Sequence, residues 1–144
     1  MKYTILFFMF FFGFISCSSN LSNGKLTVQA LNGYGENADV TFWVEDILTK
    51  ELKIPVDVLT VIAKTACRYS DWKIEDKKFF YIDNKRINMI TFNEDKKQIK
   101  VWTHVVQTDY NGTQTYITNS IDFDLNGNIL ITEDGDISIY SYEY

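Results

Sequence analysis

Proline and histidine each occur once in this 144-residue chain, and cysteine only twice. Two cysteines cannot build the disulfide framework of a small secreted scaffold, and one histidine cannot build the usual catalytic metal cluster. A single proline and seven glycines exclude collagen-like and low-complexity chains. Basic residues are in deficit. Fourteen Lys and Arg stand against 19 Asp and Glu, a net charge of −5. That balance lacks the basic face of a nucleic-acid binder, so no nucleic-acid partner is expected. The sequence has no G-x-S-x-G, no G-x-x-x-x-G-K-[ST], no H-E-x-x-H and no C-x-x-C. Phosphate cradles and zinc sites therefore have no support, and no cofactor is expected. What is present, 46% hydrophobic and 23% charged residues, is the composition of one ordinary globular domain.

The apolar stretch at residues 5–15 holds six Phe and follows Lys2. It is too short for a transmembrane helix, which needs about 20 apolar residues, and it fits a secretory signal peptide. The run ends in Phe14-Ile15-Ser16-Cys17. These four residues resemble the lipobox of bacterial lipoproteins, with Ser16 as the small residue before the cysteine and Phe14 departing from the usual Leu. The resemblance implies acylation of the Cys17 thiol, cleavage just before it, and a lipid anchor in a membrane of the bacterial cell envelope. It covers about 20 residues. The expected organisation is a signal peptide at 1–16, lipidated Cys17 with a polar tether to 24, and one domain at 25–144. Cys67 lies in an apolar helical pattern and reads as a buried thiol acting as a small hydrophobe.

Residues 25–31 (KLTVQAL) alternate and predict a strand. From Asp39, the residues Val40, Trp43, Val44, Ile47, Leu48 and Leu52 fall on one helical stripe. Val40, Phe42 and Val44 also alternate, so a strand at 38–45 competes with the helix. A second helix is expected from Pro55 to about 69–71, with Val58, Leu59, Ile62, Ala63, Ala66 and Cys67 on one face. Beyond Trp72, Asn111-Gly112, Asn126-Gly127 and Asp134-Gly135 are hairpin signals. Strands are expected near 78–83, 87–92, 98–108, 114–125, 128–133 and 136–142. The fold class is α+β: one or two N-terminal helices packed on an antiparallel β-meander. A sheet wrapped round a helix, as in cystatin-like or nuclear-transport-factor-like cones, is one way to build it.

Three candidate sites stand out, each with a structural alternative. Asp122, Asp124, Asn126, Gly127 and Glu133 fit the EF-hand calcium loop D-x-[DN]-x-[DN]-G-x5-E. The surrounding alternation favours a hairpin, leaving Asp122, Asp124, Asn126 and Glu133 as a weak calcium candidate. His104 shares a strand face with Trp102 and Val106, where it would be a general base, a pocket wall or a hydrogen-bonded structural residue. A Cys67–His104 nucleophilic pair is conceivable, though no third orienting group is evident. Tyr140, Tyr142 and Tyr144 line one face at period two, suiting a protein or glycan partner or packing across the sheet. The expectation is a lipid-anchored envelope protein with a small binding domain and no catalysis. Its partners would be the membrane through Cys17 and an envelope protein. The alternatives are a tethered immunity or inhibitor protein against a toxin or hydrolase, and a small-ligand pocket protein or enzyme using His104.

Overall fold

A computed structural model describes residues 20–31, 37–70, 79–83, 85–135 and 139–143. Cys17 and Tyr144 lie outside these residues. Among the described residues eight strands form one sheet: β1 (Asn20–Ser22), β2 (Lys25–Leu31), β3 (Asn37–Val44), β4 (Phe79–Ile82), β5 (Asn88–Asn93), β6 (Gln98–Thr108), β7 (Gln114–Phe123) and β8 (Ile139–Glu143). One α-helix, α1 (Val56–Ser70), and a short π-helical turn at Ile47–Glu51 stand between β3 and β4. The neighbours run β1-β2-β3-β5-β6-β7-β8, with β4 also on β6. No helix among the described residues is long and apolar enough to cross a membrane.

The α+β class agrees with the sequence, but the arrangement differs. Three strands precede the helix, and β3 runs parallel to β5, so the sheet is mixed rather than an antiparallel meander led by helices. The segment from Asp39 is strand. β2 pairs with β3 over its whole length, from Lys25↔Trp43 to Leu31↔Asn37. Val40, Phe42 and Val44 are buried, whereas Trp43, assigned by the helical stripe to the core, is turned outward. Both periods were present in this stretch; a pairing partner with matching alternation selected period two. The helix from Pro55 formed as expected, with Leu59, Ile62, Ala63, Ala66 and Cys67 buried.

β1 lies in the segment expected as a tether. Asn23 and Gly24, at φ 55° and 73°, turn it back onto β2 with Leu21 opposite Leu26. Two successive positive φ angles make the tight hairpin turn that Asn-Gly favours. The strand expected at 128–133 reduces to isolated bridge positions at Ile129, opposite Phe123, and at Ile131. Around α1 the core gathers Leu26, Val40, Phe42, Leu48, Leu59, Ile62, Ile90, Ile99, Val101, Ile121 and Phe123, all fully buried. Core residues of β6 are Ile99, Val101, Thr103 and Val105, so the alternate residues Lys100, Trp102, His104 and Val106 face away from the helix.

β4 and β5 occupy the same edge of β6 end to end. β4 reaches Ile82↔Val105 and β5 resumes at Met89↔Trp102. The six residues between Ile82 and Met89 therefore stand opposite only Thr103 and His104, a broad bulge in the ladder. Two backbone N–H groups at this gap find other acceptors. The His104 N–H donates to Asn88 Oδ1 at 2.6 Å, and the Asp83 N–H donates to the His104 carbonyl at 2.8 Å.

Candidate functional site on the sheet face opposite the helix

Strand register builds a row across the face turned away from α1. Lys25 stands beside Trp43, Trp43 beside Met89, Met89 beside Trp102, Trp102 beside Ser120, and Ser120 beside backbone position 140. The next row places His104 beside Thr118, and Thr118 beside position 142. Four positions singled out in the sequence, Trp102, His104, Tyr140 and Tyr142, thus meet in two adjacent rows. Exposure rises along the first row. Ser120 is fully buried, Trp102 half-buried, Met89 47% exposed and Trp43 51% exposed.

Cations lie over the rings of this face. Lys25 Nζ is 5.3 Å from the Trp43 ring centre, Lys100 Nζ 5.5 Å from Trp102, and the Arg86 guanidinium 5.3 Å from Tyr116. Ring quadrupoles attract cations at such distances. Trp102 is also held by its edge: its indole Nε1–H donates to Thr91 Oγ1 at 3.1 Å, and Thr91 Oγ1 donates to the Lys100 carbonyl. Lys100 Nζ lies 3.6 Å from Asp122 Oδ1, a pairing that accompanies burial of the carboxylate.

His104 sits beside the bulge. Its Nδ1 is 3.4 Å from Thr118 Oγ1, and Arg86 Nε is 3.6 Å from Asp83 Oδ2. Burial and then the Arg86 charge push the imidazole pKa below its ordinary value, with Asp83 opposing them. The ring is therefore biased toward its neutral form. Cys67 belongs to the helix core on the other side of the sheet, so the fold separates the conceivable Cys67–His104 pair.

The calcium-like motif is distributed differently from an EF-hand. Residues Gln114–Phe123 are strand, not helix. Asp122 is on the sheet face with Lys100. Asp124 serves its own turn. Its Oδ1 accepts the N–H groups of Asn126 and Asn128 at 2.9 Å each, and its Oδ2 accepts from the Asn128 side chain at 3.1 Å. Desolvation pushes the Asp124 pKa up, but these bonds outweigh it and hold the carboxyl below its ordinary value. Glu133 is exposed. Among the described residues no three His, Cys, Asp or Glu side chains are grouped to hold a metal ion.

The chain matches no protein family, no curated protein and no solved structure. The face itself therefore carries the functional reading. Its most exposed members, Trp43 and Met89, were missed in the sequence, together with Lys25, Lys100 and Arg86. The alternation of Val40, Phe42 and Val44 was the signal that could have found Trp43, because a strand must turn the residue between two core positions outward.

Proposed function

We propose that this protein is a lipid-anchored component of a bacterial envelope, held to its membrane through Cys17, whose domain acts by binding rather than by catalysis. The binding surface is the sheet face opposite α1. The observation that carries this reading is the row Lys25, Trp43, Met89 and Trp102, whose large apolar groups become more exposed from Trp102 to Trp43 and whose two indoles each lie under a lysine. Large rigid aromatics with polar edges are the side chains from which recognition surfaces draw most of their energy. His104 contributes a half-buried wall beside that row, its imidazole biased toward the neutral form by burial and Arg86. A cystatin-like or nuclear-transport-factor-like cone is a fold analogy supported by one long helix against a sheet, and it adds nothing to function.

Two experiments test the two parts. Mass spectrometry of the N-terminal peptide should find acyl chains on Cys17, and Cys17→Ser should move the protein out of the membrane fraction. A photo-reactive amino acid at Met89 should give adducts in cells. The same group at Val61, 56% exposed on the helix, should give none. Equal labelling at the two positions, or none at Met89, refutes the binding face.

A further inference from the structure

We infer that the occupant of this face is the headgroup layer of the membrane that holds the anchor. The inference rests on Cys17 being that anchor and names the partner of the same surface. Only Ser18 and Ser19 separate Cys17 from Asn20, the first residue of β1, which is paired with Thr27. Three Cα–Cα steps span at most about 11 Å. From Asn20 to Trp43 is two strands across and two residues along, about 12 Å from standard strand spacings. The anchored edge of the sheet is thus confined to the bilayer surface, whose headgroup layer is about 5–8 Å thick on each side.

The row is most exposed toward that edge. From Trp102 through Met89 to Trp43 the side chains become more open as the sheet approaches β1, and Lys25 beside Trp43 is exposed. The chemistry is that of a membrane interface. Trp carries an apolar ring with a polar N–H and concentrates at headgroup depth, and Lys extends an apolar stem with a charged tip. Lys100 and Arg86 are compensated by Asp122 and Asp83, so the cation this face brings to the anchored edge is Lys25, over the Trp43 ring. A lysine over an exposed indole at that edge suits an anionic lipid headgroup. The short link keeps the face at the membrane continuously, so each contact need contribute little.

The test uses the full acylated chain reconstituted into vesicles containing phosphatidylglycerol. Trp72→Phe and Trp102→Phe leave Trp43 as the sole indole. With lipids brominated near the headgroup, its emission should shift to shorter wavelength and lose about half its intensity or more, as expected of an indole at headgroup depth. Both effects should weaken in vesicles of phosphatidylcholine alone. A nitroxide on Met89→Cys, in an otherwise native chain, gives the same readout without touching a tryptophan, since Cys67 is buried and Cys17 acylated. It should be shielded from a water-soluble relaxation agent when vesicles are present. Acylated Cys17 with unquenched Trp43 and an unshielded label overturns the proposal and leaves the anchor standing, with the face open to a protein partner. Unmodified Cys17 overturns the anchor and this inference with it.

Discussion

Gly127 and Gly112 share a backbone conformation but not a neighbourhood, and replacing each by alanine isolates the packing of one loop on the helix. Gly127 has φ +89° and Gly112 φ +83°. An L-residue in the left-handed region costs about 1–2 kcal/mol. Alanine also restricts the unfolded chain, which returns about 0.4–1 kcal/mol. Gly112→Ala, with nothing within 4 Å of the added methyl, should therefore cost about 0.5–1 kcal/mol net. At Gly127 the same methyl would stand 3.0 Å from Val58 Cγ1 and 3.8 Å from the Val58 carbonyl. Val58 is β-branched on a helix and holds one strongly preferred rotamer, so it cannot swing aside. The loop must shift instead, an overpacking cost of about 1–3 kcal/mol beyond the backbone strain. Urea titration of the two variants checks the difference, in which the strain and unfolded-chain contributions cancel. Gly127→Ala should have the lower midpoint, corresponding to about 1–3 kcal/mol less stability than Gly112→Ala, with an unchanged slope. Equal midpoints would mean that the loop carrying Asp124 does not rest on α1, and the reasoning fails.

Two further outcomes follow from the bulge. The single His104 should titrate in NMR spectra below the ordinary imidazole range; Arg86→Gln should raise the midpoint and Asp83→Asn lower it. Because folding disfavours its protonation, the unfolded chain takes the proton first. This contribution to stability is complete above the ordinary imidazole range and lost as pH falls through it toward the folded midpoint; a midpoint above the ordinary value refutes the assignment. Asn88→Ala removes the acceptor of the His104 N–H at a fully buried position, which should cost about 1–3 kcal/mol and speed exchange of that amide. Unchanged exchange at His104 would show that the ladder gap is bridged in another way.

The α+β class, the helix after Pro55 and the full extents of β2 and β6 were legible in the sequence because each depends on local pattern. Leu59, Ile62, Ala63 and Ala66 repeat at helical period, and residues 98–105 alternate strictly before Val106 breaks the pattern. Cys17 and its short polar flank are also read from the sequence, and the proposed anchor rests on them alone. Residues 38–45 were ambiguous because both periods fitted, and only pairing with β2 on one side and β5 on the other made them a strand. That choice turned Trp43 from the core to the surface. The calcium-like motif read well because its residue types match, yet β7 delivers Asp122 to Lys100, while the backbone turn consumes the carboxylate of Asp124. The proposed binding face lay beyond local pattern for the same reason. Lys25, Trp43, Met89 and Trp102 come from four strands, and only hydrogen-bonded register between distant segments sets them in one row.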